Sequence, residues 1–378
     1  MDCRGSRDTF AKLSNMKIAI GLSGGVDSSM AALLLKRAGH EVTGITMSLW
    51  DGSIALPESE SSGCFGPGET RELSEIEDIA KRLGIPHTVI PLADQYKKSV
   101  LDYFRSEYKA GRTPNPCVKC NQLMKFGFLI DSARALGLDF DYFATGHYAR
   151  VTDGGTVLRM AKDPKKDQSY FLSRLKPAQL AQVMFPLGES VKDDIKDFAR
   201  ENGFKDLADK PESQDFIECD DYSVLFDKGD IREGDFVDMQ GNVLGRHQGI
   251  VHYTIGQRKG LGIGGLAEPL YVVRLDAKNN QVVLGPREEL YSEFLRGGDF
   301  NPLAISAGNS EGKCLAKIRH GHKAEPAVYK LTDGVLTVHF DAPQLSVTPG
   351  QVVALYDGDK VLGSAIIERG AHTLEDLT

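Results

Sequence analysis

From Lys17 onward, short apolar runs alternate with segments whose apolar residues recur every three to four positions. KIAIGL, EVTGITMSLW, PHTVIPL and DYFATG read as strands, and SSMAALLLKRAG, ELSEIEDIAKRLG, QYKKSVLDYFRSEYKAG and NQLMKFGFLIDSARALG as helices. That alternation predicts an α/β domain with a parallel sheet wound by helices. Between the last two helices, GRTPNPCVKC reads as a loop, because Thr113-Pro114 and Asn115-Pro116 each disfavour helix before the proline. The following helix is expected to begin at Cys120, where the positive end of the helix dipole would lower the thiol pKa.

Beyond about Pro211 the texture changes to short runs separated by glycine. YVVRLDAKNNQVVLG carries hairpin turn chemistry at Lys278-Asn279-Asn280. KCLAKIRHG, AEPAVYKL, GVLTVHF and GQVVALYDGDKVLGSAII then repeat strand and turn at the interval of a small barrel or sandwich. The expected organisation is a disordered extension over 1–15 with Met16 as a candidate start, a wound catalytic domain over 16–211, a central β-rich domain over 212–290, and a C-terminal β-barrel over 291–378.

The composition, 41% hydrophobic and 26% charged over 378 residues, suits a water-soluble protein of two or three domains. There is no apolar run of the ~18 residues needed to span a bilayer. MDCRGSRDTFAKLSN lacks the apolar middle of a signal peptide, so the expected location is the cytoplasm, with no membrane partner. In that compartment the six cysteines, Cys3, Cys64, Cys117, Cys120, Cys219 and Cys314, are better read as catalytic, metal-binding or inert than as a disulfide framework. The net charge of -8 argues mildly against a nucleic-acid partner, but local patches decide that question. One such patch runs between Asp238 and Glu268, without an acid, and holds eight glycines with Arg246, His247, His252, Arg258 and Lys259. A second, from Gly312 to Ala324, carries Lys313, Lys317, Arg319, His320, His322 and Lys323. Either can approach a phosphate backbone, and either can be a solvated face.

The sharpest local signal is IAIGLSGGVDSSMAALLL, a strand that ends in Ser23-Gly24-Gly25-Val26-Asp27-Ser28-Ser29 and runs directly into a helix. Glycines let the backbone wrap an anion, and the unpaired amides of the helix start donate to it. The stretch lacks the lysine of a GxxxxGK[ST] loop. It resembles the PP-loop ATP pyrophosphatases, with their adenine nucleotide alpha hydrolase-like fold. The resemblance implies that ATP is cleaved between its α and β phosphates and that the AMP activates a carbonyl oxygen for displacement. Ser23 to Ser28 would then hold pyrophosphate, and Asp27 would help place a magnesium ion.

Five further segments, TPNPCVKCN, ATGHYAR, KDQSYFL, HYTIGQRKGLGIGG and PGQVVALYDGD, together with the phosphate loop resemble the tRNA 2-thiouridylase family (MnmA/TrmU) from about Lys17 to Arg369. Members replace the C2 oxygen of the wobble uridine of certain tRNAs with sulfur. Carried over by position, Gly21, Leu22, Ser23, Gly24, Gly25, Val26, Asp27, Ser28, Met47 and Gly146 would contact ATP. Asn115, Pro116 and Cys117 would lie against the target base, and His147, Lys166, Asp167, Gln168, Arg319, His320 and Gln351 would touch tRNA. The partners so implied are tRNA and a persulfide or sulfide donor such as a cysteine desulfurase or sulfur carrier.

Here the chain departs from the family pattern. The family's loop reads NPDxxCN, with its final cysteine attacking or delivering sulfur; this chain keeps that cysteine as Cys120 but has Cys117 in place of the Asp. A second family cysteine, near SQEICF, falls on Ile217 when Glu212-Ser213-Gln214 are aligned, and Cys219 lies two residues later, ~7 Å along a strand. Cys64, in the glycine-rich SSGCFGPGE loop, is a further candidate. Two chemistries compete. Either Cys120 is a thiolate with Cys219 as persulfide carrier and Cys117 as a spare or resolving thiol, or Cys117 and Cys120 with Cys64 or Cys219 hold an iron-sulfur cluster whose open iron accepts sulfur. Outside this family, the same loop would serve a PP-loop synthetase or amidotransferase acting on a small molecule, or a nucleotide-responsive tRNA-binding protein without thiolation activity.

Overall fold

The computed structural model describes residues 15–56, 63–211, 216–219, 221–264, 268–305, 308 and 310–377. The extension expected before Met16 lies outside them except for Asn15, and so do Glu212, Ser213 and Gln214. The chain divides into two compact units. One comprises Met1–Ser99, Cys117–Asp220 and Asp359–Val361; the other comprises Val100–Pro116, Asp221–Gly358 and Leu362–Thr378.

In the first unit, β1 (Lys17–Gly21), β2 (Glu41–Ser48), β3 (His87–Pro91), β4 (Tyr142–Ala144) and β7 (Val183–Met184) form a parallel sheet in the order β3-β2-β1-β4-β7. Helices cover both faces, which is why KIAIG is apolar through its centre and Ile18, Ala19 and Ile20 are buried. Helix α1 (Val26–Arg37) buries Met30, Ala31 and Leu35. Helix α2 (Glu69–Leu83) buries Ile76, Ile79, Ala80 and Leu83 at helical spacing and ends on Gly84 at φ 62°. Together they close one core with Leu22, Val42 and Tyr148. From β1 the chain winds outward through β2 to β3, then crosses back to place β4 and β7 on the other side of β1. The crevice beyond the carboxyl ends of β1 and β4 is therefore the switch point at which wound sheets bind ligands. A hairpin of β5 (Ala149–Thr152) and β6 (Val157–Met160), absent from the sequence reading, follows β4.

One helix starts earlier than expected. α3 (Pro116–Cys120) continues through a wider π-type stretch, Asn121–Phe128, into α4 (Leu129–Ala135). Pro116 opens the helix because a first helical residue has no N–H bond to lose and its φ is already set. Cys117, not Cys120, therefore occupies the helix start. Further on, α5 (Lys192–Glu201) packs against α1.

In the second unit, β8 (Gly234–Val237), β9 (Val243–His247), β10 (Tyr271–Asp276) and β11 (Gln281–Gly285) form a mixed sheet in the order β10-β11-β8-β9. The expected hairpin is β10–β11, turning through Asn280 at φ 52°. Beyond it, β12 (Tyr291–Pro302), β13 (Ser310–Lys317), β14 (Glu325–Thr332), β15 (Val335–Leu345), β16 (Val352–Asp357) and β17 (Lys360–Ala371) run in the order β12-β15-β14-β13-β16-β17. Pairing of β12 with β17 closes them into the expected barrel, filled by Leu295, Ala316, Val338, Val353 and Ile367.

Candidate active site

The loop from Ser23 to Ser28 sits at the carboxyl end of β1. Gly24 has φ +72°, where a side chain is strained, and an added Cβ would stand 3.1 Å from Ile76. Ser28 Oγ accepts the Ser23 amide at 3.2 Å, lies 3.2 Å from Ser23 Oγ and donates to the Gly25 carbonyl at 3.3 Å. These bonds fold the loop over the first turn of α1. Gly146, in the loop after β4, lies against that turn: a Cβ there would stand 2.6 Å from the Ser28 amide nitrogen and 2.7 Å from the Asp27 carbonyl carbon. Gly21 likewise leaves room for Phe143, 3.2 Å from its missing Cβ. Met47 is half-buried near the end of β2, and the chain beyond it is fixed by Glu69, which accepts from Ser48 Oγ at 2.7 Å, Leu49 N at 2.6 Å and Trp50 N at 3.0 Å. The loop after β4 thus packs directly on the Ser23–Ser28 loop.

Asp27 does more than cap a helix. Its carboxylate accepts Lys192 Nζ at 2.6 and 2.8 Å and the Tyr148 hydroxyl at 2.9 Å. Lys192 is 5% exposed and opens α5, with its own amide on Asp163. The Lys192 ammonium, buried beside the Ser23–Ser28 loop, is neutralised by its ion pair with Asp27. Sequence reading missed both Lys192 and Tyr148, since a lysine at the head of the acidic segment VKDDIKDFARE looks like an ordinary surface residue. The same geometry tests the magnesium expectation: with both oxygens of Asp27 engaged by Lys192 and Tyr148, the residues as arranged do not fit direct metal ligation by Asp27.

The cysteines gather on the same unit. Cys117 is exposed and Cys120 half-buried, one helical turn apart on α3, and Cys64 is exposed on the loop after β2. In the π-type register, residue i+5 faces residue i, which turns Lys125 toward Cys120. Burial pushes the Cys120 thiol up to about 12, the Lys125 ammonium pulls against that rise, and Cys64 and Cys117 add to it. This overturns the expectation of a lowered Cys120 pKa, because the residue lies a turn inside the helix rather than at its start. Burial pulls Lys125 down, but the charge of Cys120, Cys64 and Cys117 outweighs it and the ammonium is held above its ordinary value. Lys125 was also missed, since no helix with ordinary spacing puts it beside Cys120. Next to it, burial and the Lys125 charge hold His147 well below the usual imidazole range, so the ring is neutral. Its Nδ1 lies 2.7 Å from Thr145 Oγ1, and it sits between the rings of Phe126 and Phe185 at 5.8 and 6.2 Å.

Cys219 is 4% exposed, and Ile217, where the resemblance led one to expect a second cysteine, is wholly buried. Their segment is pinned to the Cys64 loop: the Glu218 amide donates to the Phe65 carbonyl at 3.0 Å, and the Glu218 carboxylate accepts the Gly68 amide at 3.0 Å. Gly66 and Gly68 leave room for that side chain: a Cβ would come within 2.4 and 2.6 Å of the carboxylate and displace it. Thiols of suitable chemistry for an iron-sulfur cluster therefore share one neighbourhood. Among the described residues, however, no three His, Cys, Asp or Glu side chains are gathered closely enough to hold a metal. The donor chemistry fits a cluster and the present spacing does not.

The residues expected to touch tRNA divide. Asp167 is 3% exposed, with its carboxylate spent on Ala161 N, Ser169 N and Ser169 Oγ. Gln168 Oε1 accepts the Tyr148 amide at 2.8 Å, so this pair shapes the turn that holds Tyr148 on Asp27. Lys166 is half-buried beside them. In the second unit, Gln351 Nε2 donates to the carbonyls of Thr113 at 2.9 Å and Pro114 at 3.1 Å, immediately before Asn115 and Pro116. Arg319 is half-buried, donating to the Leu345 carbonyl at 3.2 Å, and His320 is exposed. In the acid-free segment, His247 is 2% exposed and bonded to the Asn280 carbonyl, and Arg246 pairs with Asp235 and Glu233. Arg258 and Lys259 stay exposed in it.

Three domain families match in succession: the tRNA methyl transferase HUP domain over residues 16–219, the tRNA methyl transferase PRC-barrel domain over 223–286, and the aminomethyltransferase beta-barrel domain over 292–367. The tRNA-specific 2-thiouridylase MnmA of Acetivibrio thermocellus is 42% identical over 369 residues, covering 94% of this chain and 100% of the relative. That of Endomicrobium trichonymphae is 45% identical over 361 residues, covering 94% and 99%. That of Clostridioides difficile is 40% identical over 368 residues, covering 94% and 99%.

Proposed function

Because the chain belongs to the tRNA-specific 2-thiouridylase family, we propose that it is an ATP-dependent tRNA-uridine 2-sulfurtransferase acting on the wobble uridine. The domain families are named for methyl transfer. The observation that favours thiolation is the shared neighbourhood of Cys117, Cys120 and Lys125 on the unit that carries the phosphate loop. Methyl transfer calls for neither paired thiols nor a pyrophosphate cradle.

ATP is the first substrate, with its phosphates on the amides of Gly24 to Ser28. Lys192 exchanges Asp27 for phosphate oxygens as the triphosphate enters, and Gly146 and Met47 border the nucleotide. The uridine C2 oxygen attacks the α-phosphorus and pyrophosphate leaves. C2 thereby gains a leaving group that a carbonyl oxygen alone does not offer, and sulfur from a persulfide takes its place as AMP departs. Neutral His147 and its two aromatic neighbours keep water from the adenylated base. Magnesium enters as the MgATP complex rather than through Asp27. An iron-sulfur cluster, were one bound by Cys64, Cys117 and Cys120, would supply an open iron to carry sulfide; no step here depends on it. Asn115 and Pro116 meet the base, while Arg319, His320, Arg258 and Lys259 meet the tRNA backbone.

The test is the nucleotide product. With tRNA, ATP should give AMP and pyrophosphate, and mass spectrometry of the digested tRNA should show 2-thiouridine. ATP turnover driven by a small acid in the absence of RNA would instead assign the site to a small-molecule synthetase.

A further inference from the structure

We propose that Thr46 and His87 are positioning residues for ATP, acting through the one peptide plane that opens the Ser23–Ser28 loop. The inference rests on the reading that the phosphates of ATP bind at that loop, and it adds two residues which that reading does not use. Leu22, the residue before Ser23, is 3% exposed and is held by β2 through both of its backbone groups. Its amide donates to the Ile45 carbonyl at 2.9 Å, and its carbonyl accepts the Thr46 hydroxyl at 2.9 Å. Gly44 makes room for its side chain, since a Cβ there would stand 2.5 Å from Leu22 Cδ1. Thr46 is 6% exposed, and its hydroxyl also lies 2.8 Å from Nε2 of His87, half-buried on β3. A hydroxyl has one proton. Because Thr46 gives it to Leu22, the bond to His87 has to be accepted, so Nε2 of His87 carries the ring proton. Burial holds that imidazole below its ordinary range, against a smaller opposing pull from Glu77, and leaves Nε2 as its single N–H.

The relay matters because of what the same peptide does on its other edge. In a trans peptide the C=O and the N–H point in opposite directions. Fixing the Leu22 carbonyl on Thr46 therefore aims the Ser23 amide the other way, where it donates to Ser28 Oγ at 3.2 Å. Ser28 Oγ in turn donates to the Gly25 carbonyl at 3.3 Å, and the Ser29 hydroxyl and amide close on that carbonyl at 2.9 and 3.3 Å. One line of hydrogen bonds thus runs from β3 through β2 to the first turn of α1. Without the Thr46 hydroxyl, the Leu22 carbonyl loses the bond that holds it on β2, and the peptide is freer to turn. Turning it breaks the Ser23–Ser28 bond and swings the negative end of a carbonyl dipole into a loop that is to hold phosphate. The apparent affinity for ATP then falls by the fraction of molecules left in the competent arrangement, whereas saturating ATP restores that arrangement.

The experiment measures ATP binding by isothermal titration calorimetry, and AMP release with tRNA and a persulfide, on wild type, Thr46→Val, Thr46→Ser, His87→Phe and the Thr46→Val/His87→Phe double variant. Thr46→Val keeps the shape and loses the hydroxyl, so Kd and KM for ATP should rise roughly tenfold, the factor that one buried hydrogen bond corresponds to, with kcat near wild type. Thr46→Ser should restore both. His87→Phe should move them in the same direction by less, and the double variant should bind no worse than Thr46→Val, since His87 acts only through Thr46. Nitrogen-15 NMR of the histidine rings should show His87 protonated on Nε2. A variant that merely loosens the fold would lower kcat and the melting temperature with KM unmoved. That pattern, wild-type affinity in Thr46→Val, additive losses in the double variant, or a His87 proton on Nδ1 alone would overturn the assignment while ATP binding stands. A wild type that does not bind ATP would instead sink the underlying reading, and the proposal with it.

Discussion

Alkylation of Cys120 should be slow for a thiol that is only half-buried, and Lys125 should set how slow. An ordinary thiol here ionises at 9.0, and burial moves Cys120 to about 12. At pH 7.5 its thiolate fraction therefore falls about a thousandfold below that of the ordinary thiol, and the iodoacetamide rate should fall in proportion. The sign is fixed by which form reacts: raising the pKa removes thiolate at any pH below it. The Cys120 rate should climb about tenfold per pH unit through pH 10 and level only near pH 12. Removing the ammonium in Lys125→Met should slow it further, while Lys125→Arg, which keeps the charge, should leave it near wild type. The assay is timed alkylation of the Cys117→Ser protein, followed by peptide mass spectrometry, with the urea-unfolded chain as the reference thiol. A Cys120 rate that levels below about pH 9, or that ignores Lys125→Met, would refute the placement of these groups.

Other consequences follow from the same geometry. Gly146→Ala should force the loop after β4 off the Ser28 amide and weaken ATP binding by about tenfold or more, on the scale of overpacking in a tight site, measured by isothermal titration calorimetry. Lys192→Met leaves Asp27, 30% exposed, without its cation, and should lower stability by about 2–3 kcal/mol, less than the loss for a wholly buried pair, with Asp27→Asn partly restoring it in urea titrations. Gln351→Ala gives up two hydrogen bonds to the Thr113 and Pro114 carbonyls and should cost about 1–3 kcal/mol in the same assay. His147 is held neutral while the unfolded chain protonates near 6.5, so the unfolded state takes up more protons as pH falls. Its contribution is present above pH 6.5 and is lost below it, and His147→Gln should flatten the acid-side decline in melting temperature.

The wound sheet was legible because strands covered on both faces must be apolar throughout and their helices must show one apolar stripe. KIAIGL and ELSEIEDIAKRLG do so plainly, and the 278–280 turn announced its hairpin. The strand-to-helix junction at Ser23–Ser28 was legible because clustered glycine and serine directly after an apolar strand and before a helical stripe mark such a turn. What escaped depends on partners distant in sequence. Lys192 shows its place beside the loop only by its ion pair with Asp27, 165 residues away. Lys125 reaches Cys120 only through a π-type register that no local pattern signals. The helix start was misjudged by a residue class rather than a distance: Pro116 was taken as a barrier, whereas proline is tolerated at the first helical position, and that shifted the helix start from Cys120 to Cys117. His247 and Asp167 were read from charge and motif as RNA contacts or patch members, but both are buried and hydrogen-bonded, His247 at the end of β9 and Asp167 in the loop before Ser169.

The central claim is that ATP activates the C2 oxygen of a tRNA uridine for replacement by sulfur. It is tested most directly with a tRNA whose wobble uridine carries oxygen-18 at C2, incubated with the protein, ATP and a persulfide. The account predicts one oxygen-18 atom in the phosphate of each AMP released, matched one to one by 2-thiouridine formed. AMP without the label, or 2-thiouridine formed without AMP, would contradict it.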